Sequence, residues 1–97
     1  MKVLLLCYGG MSTSIMKVKI EEAAKAEGVE LEITAKGMDT LEDFKDEYDM
    51  FLLGPQVRFM EDEVKEAVGD KPVLVISASD FGMMKGDNVF KQIKEVM

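Results

Sequence analysis

The chain reads as an α/β domain: a four-stranded parallel sheet in the order 2-1-3-4, with helices on both faces. Three observations predict this. Short apolar runs alternate with segments of helical spacing along all 97 residues, and no linker or low-complexity stretch divides them. Val3-Leu4-Leu5-Leu6 and Met50-Phe51-Leu52-Leu53 are apolar without interruption, as central parallel strands covered on both faces require. Val29 to Ala35 instead alternates apolar with polar residues, which suits a half-exposed edge strand.

Taken in order, Val3 to Leu6 is the first strand. A helix follows from about Ser12 to Glu27, with Met16, Ile20, Ala23 and Ala24 at helical spacing and Gly28 as its stop. After the alternating strand, Asp39 and Glu42 form a capping-box-like pair that opens a short helix through Tyr48. Met50 to Leu53 is the third strand, ended by Gly54-Pro55. A helix carrying Val57, Met60, Val64 and Val68 on one face then runs to Gly69. Pro72 to Ile76 is the fourth strand, Ser77 to Gly86 reads as a loop, and a last helix places Val89, Phe90, Ile93 and Met97 on one face. Right-handed crossovers and an edge position for the alternating strand give the predicted order. That order sets a topological switch between the first and third strands, where open parallel sheets bind ligands beyond their carboxyl ends.

Composition narrows the functions open to such a domain. The formal charge of −7 argues against gripping a nucleic-acid backbone or an anionic membrane face. No run approaches the ~20 apolar residues of a membrane span. Met1 to Cys7 imitates a lipoprotein signal, but its apolar run is too short and Leu6 is not the small residue a cleavage site wants. The single cysteine cannot form an internal disulfide and fits a reducing compartment, so the expected location is the cytoplasm. Histidine is absent, which removes a Cys-His or Ser-His dyad and the usual zinc ligands; any histidine in the chemistry must come from a partner. No cofactor or metal is called for. The nine methionines read as core filler. Glu21, Glu22, Glu61, Asp62 and Glu63 read as solvated helix faces, not as a catalytic carboxylate pair.

The chemistry-bearing candidate is Cys7, which ends the first strand and opens the loop Tyr8-Gly9-Gly10-Met11-Ser12-Thr13-Ser14. Gly9 and Gly10 allow successive N–H groups to point into one concavity, and the helix that follows adds its unpaired N–H groups and positive dipole end. Ser12, Thr13 and Ser14 offer hydroxyls as donors or caps. A phosphate fits such a cradle, and a thiolate beside it is a nucleophile. The alternative is that Cys7 packs as a small core residue at a strand end; the loop beside it favours the nucleophile.

Cysteine phosphatases, including the low-molecular-weight tyrosine phosphatase, are similar in fold and in their strand-loop-helix nucleophile, but their pattern is Cys-x5-Arg. Here the residue six positions after Cys7 is Thr13. The loop can bind a phosphoryl group yet lacks the clamp for hydrolysing it, which suits a carrier. Cys7-Tyr8-Gly9-Gly10-Met11-Ser12-Thr13-Ser14 resembles the phosphocysteine loop of the IIB component of the phosphoenolpyruvate-dependent sugar phosphotransferase system (PTS), in its lactose/cellobiose (chitobiose) branch. Leu52-Leu53-Gly54-Pro55-Gln56 and Phe81-Gly82-Met83-Met84-Lys85-Gly86 agree with the same family, and the resemblance spans residues 1–97 as one domain.

The resemblance implies a phosphotransferase in which Cys7 takes a phosphoryl group from a histidine of the IIA component. Cys7 then passes it to a sugar, such as a β-linked disaccharide (cellobiose, chitobiose or lactose), bound by the membrane-embedded IIC permease. Residues Tyr8 to Ser14 form the phosphate cradle in this reading, and Gln56 and Arg58 are rim or partner contacts. Arg58, the only arginine, reads first as a solvated helix residue or partner contact and second as a displaced phosphate clamp. The galactitol and ascorbate branches carry similar loops and remain open as alternatives. So does a flavodoxin-like module binding a mononucleotide phosphate, although the chain lacks tryptophan for a flavin sandwich. A small phosphatase or arsenate-reductase-like enzyme is disfavoured by the absent arginine and the absent second cysteine.

Overall fold

A computed structural model describes residues 1–7 and 11–97, with side chains for residues 1–7 and 13–97. Strand β1 (Lys2–Cys7) leads into helix α1 (Met11–Ala26) and strand β2 (Glu32–Gly37). A 3-10 turn (Met38–Thr40) runs into the short helix α2 (Leu41–Phe44), followed by strand β3 (Met50–Leu53). A second 3-10 segment (Pro55–Met60) precedes helix α3 (Glu61–Val68) and strand β4 (Val73–Val75). Helices α4 (Ala78–Gly82) and α5 (Gly86–Val96) complete the chain. The strands form one parallel sheet in the order β2-β1-β3-β4, as the sequence predicts.

The uninterrupted apolar runs are explained by the period of two along a strand. Val3, Leu5, Met50 and Leu52 face one core, which α1 and α5 cover with Met16, Ile20, Ala24, Val89, Phe90 and Ile93. Leu4, Leu6, Phe51 and Leu53 face the other, which Leu41, Tyr48, Val57 and Val64 cover. Each buried leucine contributes about 1.5–3 kcal/mol, so a polar residue anywhere from Val3 to Leu6 or from Met50 to Leu53 would cost one core or the other.

The edge strand departs from expectation in its bounds: it begins at Glu32, not Val29, and continues to Gly37, past Ala35. The end of α1 is the cause. Gly28 lies at φ +74°, its N–H bonds to the Lys25 carbonyl, and the Val29 N–H bonds to the Ala24 carbonyl. That closing motif commits Val29 to finishing the helix. The alternation still marks an edge, since Ile33 alone in β2 is buried. Glu21 is also not simply a solvated acid: half-buried on α1, it accepts the Ile33 N–H at 3.3 Å and a bond from Lys17, tying β2 to the helix.

Three other segments correct the sequence reading. No capping box forms around Asp39 and Glu42; Thr40 instead donates to the Gly37 carbonyl at 2.7 Å, and α2 stops at Phe44, short of Tyr48. The helix expected from Val57 onward is 3-10 through Met60, with a break at Val57 (φ −117°, ψ 19°), and α-helical only from Glu61. Its apolar face survives the change of pitch because Val57 and Val64 are both fully buried. Ser77 to Gly86 contains the helix α4, which Ser77 caps by accepting the Asp80 N–H at 3.1 Å. Met97 lies beyond α5 and is 58% exposed, and Met83 is 68% exposed, so methionine fills the core only in part, chiefly through Met16 and Met50.

Candidate functional site

Cys7 is the last residue of β1, a central strand, and pairs in register with Gly37 of β2. Its odd position places its side chain on the face of Val3 and Leu5, the face that α1 covers. The residue is 3% exposed. Its Sγ lies 2.7 Å from Oγ1 of Thr13, a contact in which either atom can donate when the sulfur is a thiol.

Thr13 reaches the sulfur because it heads the buried stripe of α1. Thr13, Met16, Ile20 and Ala24 follow one another at intervals of a helical turn, and all are buried. Among the described residues Thr13 is the only serine, threonine, amide or charged side chain so deeply buried. Hiding a hydroxyl without a partner costs roughly 1–3 kcal/mol, and the sulfur of Cys7 supplies that partner. Branching at Cβ restricts the side chain to few rotamers, which holds the oxygen in place. Because Thr13 stands in the first turn of α1, the amide groups that the helix leaves unpaired at its start lie at the same end of the sheet as the sulfur.

The end of β3 closes the site from the other side. Gly54 donates its N–H to the Leu6 carbonyl at 3.0 Å, which fixes the turn against β1. A β-carbon at Gly54 would lie 3.6 Å from Cβ of Cys7, 3.7 Å from the Phe81 ring and 2.6 Å from Oε1 of Gln56. The end of β1 and the segments that follow β3 and β4 therefore meet around Gly54, and the carboxamide of Gln56 folds back over that glycine. Gln56 and Arg58 are both exposed, and the Arg58 guanidinium donates to the carbonyl of Pro55 at 3.3 Å, on its own turn. Ser14 is exposed, one residue past Thr13. Of the other cradle positions, Met11 and Ser12 belong to α1 by their backbone, while Tyr8, Gly9 and Gly10 lie outside the described residues.

The described residues also line two concavities. One, of about 390 Å³, runs along α1 from Ser14 past Ile15 and Val18 to Glu22, with Ile15 and Val18 exposed to solvent. A larger one, of about 640 Å³, lies at the opposite end of the sheet between Met1, Glu21 and Leu31. Neither is lined by Cys7 or Thr13. Thr13 entered the sequence reading as one cradle hydroxyl among three. Its place at the head of the stripe Met16, Ile20 and Ala24 was the available signal that it points inward.

The family model described as "PTS system, Lactose/Cellobiose specific IIB subunit" matches residues 2–92. The PTS system galactose-specific EIIB component of Lactococcus lactis subsp. cremoris (strain MG1363) is 37% identical over a 102-residue alignment covering 98% of this chain and 94% of the relative. The PTS system cellobiose-specific EIIB component of Lactococcus lactis subsp. lactis (strain IL1403) matches with the same identity and coverage. Overall similarity thus does not separate one sugar from the other. In fold, the chain superposes on the lactose-specific IIB component domain of Streptococcus pneumoniae with a TM-score of 0.83 at 22% identity, covering 98% of this chain and 95% of that one.

Proposed function

The chain belongs to the lactose/cellobiose-specific IIB family of the sugar phosphotransferase system, and on that premise we propose that Cys7 is its transient phosphoryl carrier. In the first transfer the Cys7 thiolate attacks a phosphohistidine of a IIA partner: the N–P bond breaks, the S–P bond forms, and the electron pair returns to the imidazole. In the second, a hydroxyl of the sugar held by the IIC permease attacks the phosphorus. The S–P bond breaks, the O–P bond forms, and the hydroxyl proton passes to a general base of the permease. The absence of histidine from this chain fits a donor supplied in trans.

The observation that carries this reading is the buried Cys7–Thr13 contact at the carboxyl end of a central strand, beside the start of α1. Phosphate binding by residues 8–14, through their backbone N–H groups, belongs to the same proposal, as do rim or partner contacts by Gln56 and Arg58. Neither transfer requires a metal when the reacting groups are positioned by two proteins. No helix among the described residues is long and apolar enough to cross a membrane. We place the carrier in the cytoplasm, shuttling between IIA and the inner face of the permease. The sugar is proposed to be a β-linked disaccharide of the cellobiose, chitobiose or lactose type, chosen on the permease.

Incubation with a phosphorylated IIA protein tests the reading. Intact-mass spectrometry should show one added phosphoryl group, and that adduct should be missing from Cys7→Ala. A Cys7→Ala protein that still supports sugar phosphorylation would overturn it.

A further inference from the structure

The geometry points to Thr13 as a hydrogen-bond donor to the sulfur of Cys7, not to the phosphoryl oxygens, with the specific task of stabilising Cys7 as a leaving group in the onward transfer. This rests on Cys7 being the phosphoryl carrier. Thr13 Oγ1 stands 2.7 Å from Sγ, and both residues are buried. A hydroxyl has one proton to donate, and a thiolate can only accept. When the sulfur is the attacking or departing thiolate, that proton is therefore directed at it.

The consequence follows from where charge sits. The thiolate bears a full negative charge, and a hydrogen bond to a charged acceptor is roughly twice as strong as one between neutral groups. Once the S–P bond forms, the charge resides on the phosphoryl oxygens and the sulfur becomes a poor acceptor. Thr13 accordingly stabilises the empty carrier more than the loaded one. When the S–P bond breaks, the electron pair returns to sulfur and the bond to Thr13 strengthens along the way, so the donor lowers the barrier to release. In a Cys-x5-Arg loop the residue at this position is a clamp on the transition state for hydrolysis. Here a short side chain anchored in the packed stripe of α1 acts on the sulfur, and it favours giving the phosphoryl group away.

Thr13→Val removes the hydroxyl while keeping the branched shape. With a phosphorylated IIA protein as donor, the equilibrium between phospho-IIA and phosphocysteine should move toward phosphocysteine by roughly ten- to a hundredfold, the size of one charge-assisted hydrogen bond. Return of the phosphoryl group to unphosphorylated IIA should slow accordingly, and Thr13→Ser should restore both. A side chain that only shapes the loop would behave oppositely, because a damaged cradle holds phosphate less well and lowers the phosphocysteine fraction. An unchanged or lowered equilibrium in Thr13→Val, or a Thr13→Ser protein that behaves like the valine variant, overturns the inference. Should the valine variant not fold by circular dichroism, Thr13→Ala against Thr13→Ser gives the same comparison. Wild-type protein that gains no phosphoryl group fails the carrier reading itself, a result separable from a wild type that loads normally beside an indifferent Thr13→Val.

Discussion

Replacing Gly86 by alanine measures how closely α1 and α5 must approach. A β-carbon there would press on the backbone of Lys19, 2.6 Å from its carbonyl oxygen and as close to its Cβ. Those carbonyl atoms belong to the middle of α1 and cannot rotate away, so the two helices would have to part by close to 1 Å before ordinary contact returned. The interface they share is the core of Ile20, Val89, Phe90 and Ile93, packed without room to absorb such a shift. Overpacking of this kind costs about 1–3 kcal/mol. Alanine's better helix propensity offsets little of that at the first residue of α5, leaving a net loss of about 1–2 kcal/mol. For a domain of this size each kcal/mol moves the melting temperature by about 4–8 °C, so thermal unfolding followed by circular dichroism should show a drop of about 4–16 °C. Gly82→Ala is the control: nothing lies within 4 Å of its β-carbon position, and it should be neutral or up to about 1 kcal/mol more stable. A Gly86→Ala protein that melts at or above the wild-type temperature would refute the close-approach argument.

Phe90→Ala empties a large position in the same core; its side chain is fully buried, and the loss should reach about 3–5 kcal/mol, read as a lower urea midpoint. An unchanged midpoint would mean that the core collapses around the void. Lys65→Gln breaks an i,i+4 pair with Glu61 whose members are both more than a third exposed, and should cost no more than about 0.5 kcal/mol. A loss well above that would show Lys65 doing something other than pairing on the surface.

Much of this fold is legible in the residues because the decisive signals are local. An uninterrupted run such as Leu4-Leu5-Leu6 suits a strand covered on both faces, and the alternation around Ile33 suits an edge; together they match the order β2-β1-β3-β4. The errors fall where local signals compete. Val29 continues the alternating pattern of β2, yet its N–H is required to close α1 behind Gly28. Asp39 and Glu42 have the spacing of a capping box, yet the turn after Gly37 is bonded by Thr40 instead. Pro55 starts a helical segment in a place where the chain leaving β3 is too tightly held against β1 for an α-helix to begin at once.

The candidate site divides along the same line. The sequence by itself determined that a cysteine stands at the carboxyl tip of a central strand, ahead of a helix and in a chain without histidine. It also contained the family likeness and, through the spacing of Met16, Ile20 and Ala24, the direction in which Thr13 points. Only the tertiary structure decided that the Thr13 hydroxyl meets the sulfur, that Gly54 lies close to both Cys7 and Phe81, and that Gly86 lets α5 lie against Lys19. Periodicity fixes which face of an element turns inward. Which atoms meet there depends on the distance and angle at which separate elements pack, and those are set by every side chain between them at once.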